Sequence, residues 1–367
     1  MVLKYREADL NHCPLAIESP CTHISLGDLH GNALKLIYIL IEERILQFSS
    51  GQYDKLRDIY NTPVEGLSVE KISCFRTIIN KAKVDNTKAI TLIGDELADR
   101  GQNDYFTLFV LKKLYEADVN IEIMLSNHST EFIKDYERAC FTGRYNFFEV
   151  QGKSLGNMQI LIEKGLVEES EIRRIVTKNY IPMVKAIGYT LSTEGNLTLF
   201  SHAPVGLETV KALAEKFNIY YQDNNLKSLI HTINAINQGV LHLLQEKKLA
   251  KLIESEGFAV PDHPIPLTQP LFRLLWNRAV GNELITEPSG GFKVRFVHGH
   301  IGDWSVLLKN DVDPLPTHQN LDNFFGKGLQ FTKTGTMDGL LIKHFTRGSS
   351  DLIAKQLTGK KLDELSN

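Results

Sequence analysis

The apolar run Ile24-Ser25-Leu26 stops at Gly27, and two side chains that resist burial, Asp28 and His30, follow at once. The same event recurs four times. In "KAITLIGDELADRG" (88–101) an apolar strand from Ala89 to Ile93 ends in Asp95, with Asp99 and Arg100 just beyond. "VNIEIMLSNH" (119–128) ends in Asn127-His128, "NLTLFSHAP" (196–204) in His202, and "FKVRFVHGH" (292–300) in His300. Helical periodicity fills the gaps between the first three: about 31–47, with Leu34, Ile37, Tyr38, Ile41 and Ile45 on one face, and about 103–117. This strand–helix–strand–helix–strand rhythm predicts an α/β architecture. In such folds ligands collect beyond the carboxyl ends of the strands. An unpaired polar group at a core edge is penalised, so five strand ends carrying Asp, Asn or His point to a shared ligand.

Asp, Asn and His are the donor set of Mn, Fe or Zn rather than of Ca or a cysteine-based zinc site. Six candidates, Asp28, His30, Asp95, Asn127, His202 and His300, are too many for one tetrahedral ion. They suit two ions sharing a bridging carboxylate. Two ions roughly 3.5–4 Å apart clamp a transferring phosphoryl group and ionise a water.

Bulk properties narrow the alternatives. The 367-residue chain is 43% hydrophobic and 23% charged, ordinary globular composition. A formal net charge of −3 argues against broad binding to nucleic acid or anionic lipid. No run of about 18 apolar residues predicts a membrane span, and MVLKYREADLNHC lacks the apolar core of a signal peptide. A cytoplasmic protein, or one exported by a route that needs no such peptide, is expected. The four cysteines lack CxxC spacing, which fits a reducing compartment. They also lack the Arg six residues on that a cysteine-based phosphatase needs: those positions are Ser19, Gly27, Asn80 and Asn146.

The remaining chain reads as one domain over 1–350 with two insertions and a polar tail, 351–367. The first insertion, about 48–87, is polar, with one short helix at 68–82. Helices are expected at 129–140, 154–164 and 168–177. The second insertion, about 206–260, is almost wholly helical. In it Leu226, Ile230, Ile233, Ile236, Val240, Leu243 and Leu244 recur at three- and four-residue steps, the stripe of a cap buried on the core. A docking arm is the alternative. A Pro-rich loop (261–270) stops that block, and a strand pair is expected near 328–332 and 339–345.

In order along the chain, GDLHG (27–31), GDELADRG (94–101), SNH (126–128), SHAP (201–204) and HGH (298–300) resemble the motif series of the metallophosphoesterases. The Gly after His30 and the DRG tripeptide resemble the phosphoprotein phosphatase branch. The resemblance covers roughly 22–345. It implies a four-layer α/β sandwich, two mixed β-sheets flanked by helices, with helical insertions. It also implies two divalent metal ions, manganese first and iron or zinc as alternatives. Asp28 and His30 would hold the first ion, Asp95 would bridge, and Asn127, His202 and His300 would hold the second. Arg100 would bind phosphate oxygens. His128, oriented by Asp99, would protonate the leaving oxygen after direct attack by a metal-bridging hydroxide, with no phosphoenzyme. "LLWNR" (274–278) resembles a segment that ends near a second phosphate-binding arginine, assigned to Arg278 with Arg273 and Arg295 as rivals.

Three departures stand out. Three residues separate Asp95 from Asp99 where the family has two; SNHS replaces GNHE, with Glu131 a candidate replacement for the lost acid; and the 67-residue step from Asp28 to Asp95 is long. The implied substrate is a phosphoprotein carrying phosphoserine or phosphothreonine. Phosphotyrosine hydrolysis, dinucleoside polyphosphate hydrolysis and a phosphoprotein-binding pseudophosphatase are the alternatives. Nuclease relatives end in GHxH, whereas Ile301-Gly302 follow His300. The motif spellings and insertions resemble secreted bacterial effectors of the branch, implying work in a host cytosol. No regulatory partner is legible. His298 is expected to lie away from the ligands or behind them. His12, His23, His231, His242, His263, His318 and His344 read as surface or loop residues, and Trp276 as core.

Overall fold

The computed structural model describes residues 8–18, 21–138, 141, 151–192, 195–257, 265–278, 284–301, 317–323, 325–327 and 342–345. The first half contains β1 (His23–Leu26), α1 (Ala33–Glu42), β2 (Leu46–Gln47), α2 (Ser50–Tyr60), α3 (Val69–Lys81), β3 (Lys83–Val84), β4 (Ala89–Leu92), α4 (Asp104–Glu116), β5 (Ile121–Met124) and α5 (Asn127–Glu137). Then come α6 (Lys153–Glu163), α7 (Glu169–Ile175), β6 (Val184–Lys185), β7 (Gly188–Leu191), β8 (Leu197–Phe200), α8 (Leu207–Lys216), α9 (Leu226–Gln245) and α10 (Leu249–Ser255). The last are α11 (Pro270–Trp276), β9 (Val294–His298), β10 (His318–Asn320) and β11 (Ile342–Phe345).

Two mixed sheets result. One runs β11-β1-β4-β5-β6, parallel except for β11. The other runs β10-β9-β8-β7, parallel except for β7. All four residues of β1, β4 and β8 are buried, as strands covered on both faces must be. Helix α1 is buried from Ala33 to Ile41, a core helix rather than an amphipathic one. Its N-cap Asn32 accepts from the Lys35 amide.

The sheets meet at their strand ends. Ile93, Met124, Phe200, Val297 and Leu321 form a small apolar cluster separate from the main core, and the His23 ring stands edge-on to Phe200 at 5.5 Å. Just past β4 and β8, Asp95 Oδ1 lies 3.4 Å from His202 Nε2, so the carboxyl ends of these two strands, one from each sheet, lie together.

Several sequence expectations change. The polar stretch 49–86 holds two helices, and β2 pairs with β3 to close it off as a unit. Helix α2 is held by a Ser49–Gln52 capping box, and only Tyr53, Leu56, Ile59 and Tyr60 are buried. Strand β5 ends at Met124, because Ser126 caps α5 and so puts Asn127 and His128 in that helix's first turn. Strands β6 and β7 interrupt a middle expected to be mainly helical. His23 and His318 are strand residues, not surface ones: His23 Nε2 lies 2.8 Å from Thr91 Oγ1, and His318 stacks on Phe296. Leu229, Ile233, Ile236, Val240 and Leu244 of α9 join the main core, as a cap requires. Asn237 seals this contact, accepting from the Ala186 and Ile187 amides and donating to Ile187 O. The strand expected at 328–332, the tail 351–367 and His263 lie outside the described residues.

Candidate metal centre

All ten sequence-predicted site residues are described, and eight are buried or nearly so in one polar cluster. Arg100 is partly exposed and Arg278 exposed. Donor atoms of Asp28, Asp95 and His202 lie within 4.8 Å of one another, as do those of His30, Asp95 and Asp99. Asp95 belongs to both groups. The resemblance pairs Asp28 with His30; here Asp28 groups with His202, and His30 with Asp99, each together with Asp95.

Backbone geometry brings these side chains together. His30 (φ 56°), Asp95 (φ 53°) and His300 (φ 66°) all take the left-handed region, uncommon outside glycine and a form of strain that concentrates at functional sites. Gly94 has φ 129°, and a Cβ there would sit 2.7 Å from both His202 Nδ1 and Ser126 Cβ. At Gly299 a Cβ would meet Asp28 Oδ1 at 1.8 Å. These two glycines let the strand ends close on the carboxylates. The His300 amide donates to Asp28 Oδ2 at 3.0 Å. His202 places Nδ1 3.1 Å from Ile93 O and Nε2 2.7 Å from Asn127 Oδ1. Buried Asp28 Oδ1, Asp95 Oδ1 and His300 Nε2 have no hydrogen-bond partner. Buried polar atoms left without partners are rare, and three aimed into one cluster fit a cation.

Electrostatics agree. Burial, then Asp322 and Asp95, push Asp28 well above the usual carboxylate range. Burial drives His300 well below the usual histidine range, helped by His202, Arg278 and His128. Burial also lowers His202. A neutral imidazole is the ligand form. Around Asp99, burial raises the carboxyl, but His128, His30 and Arg100 outweigh it and hold it ionised. Asp99 accepts from Arg100 Nη1 at 2.8 Å and lies 3.6 Å from His128 Nε2. Burial lowers His128, yet Asp99 and Asp95 more than compensate and raise it.

The departures from the family motifs have local explanations. The extra residue in GDELADRG is absorbed by Ala98 in the left-handed region, φ 55°. Glu96 turns fully inward, where Tyr180 donates a short hydrogen bond to it and burial pushes its carboxyl up to about 8. In SNHS, Ser126 and Ser129 form a capping box at the start of α5. Ser129 fills the capping position three residues on, so Glu131 is not needed for it. Ser126 Oγ also accepts from the Asp95 amide at 3.0 Å, tying the second motif to the third. Arg273 is occupied elsewhere, by Thr209 Oγ1, Ile265 O and Glu208. The Trp276 ring meets His300 edge-on at 5.7 Å, a site contact rather than a purely core one. His298 faces His318, ring centroids 6.0 Å apart, and its Nδ1 meets Gly299 O, behind the ligand cluster.

Three residues escaped the sequence reading. Lys35 is buried, and its Nζ donates to Asp28 O at 2.5 Å and Asn323 Oδ1 at 3.1 Å. Asn323 O lies 2.6 Å from His30 Nε2. Asp322 Oδ1 lies 3.7 Å from the same nitrogen. Asp322 and Asn323 follow β10, a strand too short to stand out, though an Asp just past a strand end was the signal used elsewhere.

Comparison with known proteins places this geometry in context. No curated protein sequence matches the chain. A solved structure, the phosphatase domain from the Legionella effector WipB, superposes with a TM-score of 0.69 at 30% sequence identity, covering 77% of this chain and 100% of that one. Among the described residues no helix is long and apolar enough to cross a membrane. The family model for the WipA-like phosphatase domain matches residues 89–327, well over half of the chain, and the chain belongs to that family.

Proposed function

We propose that this phosphatase-family chain is a metallophosphoesterase of the phosphoprotein phosphatase branch, acting on phosphoserine and phosphothreonine through two divalent ions. The observation that carries the reading is Asp95 lying in both buried donor groups, with unpartnered Asp28 Oδ1 and His300 Nε2 nearby. Asp28, His30 and Asp95 would hold one ion; Asp95, Asn127, His202 and His300 the other. Manganese is the first candidate, iron or zinc the alternatives. When bound, such ions polarise phosphoryl oxygens and acidify a water. Two mixed sheets with helices around them support the four-layer sandwich.

The chain's own residues supply the rest. Arg100 has one nitrogen tied to Asp99, which fixes the guanidinium and leaves the rest of its planar fork for phosphoryl oxygens. Arg278, close enough to act on His300, is the second phosphate ligand. His128 Nδ1 lies 3.2 Å from the carbonyl of Ala98, so it is the donor there. With Asp99 and Asp95 favouring the protonated ring, Nε2 carries the proton delivered to the leaving oxygen. The likeness to an effector domain supports a host cytosol as the place of action.

The test is phosphate release from matched phosphoserine, phosphothreonine and phosphotyrosine peptides, before and after chelation and manganese reload. Release that stops on chelation, returns with manganese and favours the first two peptides supports the reading. Release from phosphotyrosine alone overturns the specificity, and release indifferent to chelation overturns the metal dependence.

A further inference from the structure

The loop after β10 brings a carboxyl group to the centre that no motif of the resemblance contains. Asp322 is 4% exposed, and its Oδ1 is buried without a hydrogen-bond partner. That atom lies 3.7 Å from His30 Nε2, and the Asn323 carbonyl lies 2.6 Å from the same nitrogen. His30 Nδ1 faces a third acceptor, Asp99 Oδ2, at 3.2 Å. The His30 ring is thus surrounded by oxygen acceptors.

The loop is rigidly held in this position. The Leu321 amide donates to His298 O at 2.7 Å, and the Asp322 amide to Asn320 Oδ1 at 2.9 Å. Lys35 bridges Asn323 Oδ1 to the Asp28 carbonyl, and Asn32 Nδ2 donates to Gly326 O at 2.9 Å. Lys35 also lies over the Phe325 ring. A buried carboxyl oxygen without a partner costs free energy unless a donor or a cation answers it.

We infer that Asp322 belongs to the metal centre, as a further anionic ligand on the Asp28–His30 side. The donors there would be Asp28, Asp95 and Asp322 with His30, whose Nε2 must then give up the Asn323 carbonyl it faces at 2.6 Å. This oxygen-rich set suits manganese or magnesium better than zinc. The assignment rests on the metal-dependent reading above, and it adds a residue to that site.

The test titrates Mn2+ into metal-stripped protein by calorimetry, comparing wild type with Asp322→Asn. Wild type is expected to bind two ions. In the variant one site should weaken about 10- to 100-fold or more, the other staying within about threefold. The metal-free variant should melt close to the wild-type temperature, which separates lost affinity from lost fold. If the amide does not fold, the smaller Asp322→Ser carries the same comparison. Unchanged affinity at both sites in a folded variant overturns the role of Asp322. Absence of manganese binding by wild type overturns the metal reading itself, a distinct result.

Discussion

Replacing His128 with Asn separates the chemistry of the site from its architecture. His128 sits in the first turn of α5, with Nδ1 on the Ala98 carbonyl and Nε2 3.6 Å from Asp99. Asparagine fits a helix's first turn, and its amide NH2 can replace the bond to Ala98. Asp99 keeps Arg100 at 2.8 Å and His30 at 3.2 Å, so it is not left as an isolated charge. The fold and the ligand cluster should therefore survive. A positioned general acid is worth about 100- to 10,000-fold, which is about 2.7–5.4 kcal/mol of barrier at 1.36 per factor of ten. That full loss applies where the leaving alkoxide needs a proton, as with phosphoserine. A p-nitrophenolate departs without much help, so p-nitrophenyl phosphate should lose far less. The assay is kcat for both substrates, with metal content of the same samples by elemental analysis. An equal drop on both substrates, or a drop matched by metal loss, would refute the acid role.

Two more perturbations address the scaffold. Ser126→Ala removes the acceptor of the Ser129 and Asp95 amides; a lost cap plus an orphaned buried amide should cost about 2–4 kcal/mol in urea denaturation, and a change below about 0.5 would show that the capping box is incidental. Burial pushes the Asp104 carboxyl from 3.8 up to about 7, despite its bonds to the Ala98 amide. Between those values the unfolded chain ionises and the folded one does not. Its stability contribution is therefore full below about pH 4 and lost as pH rises through 7. Metal-free Asp104→Asn should gain stability over wild type at pH 8, by at most about 4 kcal/mol, and gain least at pH 4; an equal effect at both pH values would contradict the buried acid.

The strand ends were legible because buried strands read as short apolar runs and because Asp28, Asp95, His202 and His300 interrupt them abruptly. Helix α9 was legible because its stripe repeats over five turns. Helix α2 was not, since most of its residues are polar and only one face touches α1 and α3. The two-residue strand β6 and three-residue β10 carry too little pattern to see, and with β10 went Asp322. Lys35 defeats any hydropathy reading: a lysine inside an apolar helix looks like a surface marker until the Asp28 carbonyl and Asn323 appear around its ammonium. The serine substitutions in SNHS looked like decay of a motif. In three dimensions they form a hydrogen-bonded pair, Oγ to Oγ at 2.8 Å, that anchors the Asp95 loop.

The central claim is that the ends of β1, β4, β8 and β9 and the first turn of α5 build one centre for two ions around Asp95. Anomalous diffraction at the manganese edge, from crystals grown with Mn2+, tests it most directly. The account predicts two peaks roughly 3.5–4 Å apart, one on each side of the Asp95 carboxylate. A single peak, or none among these side chains while the protein still releases phosphate, would contradict it.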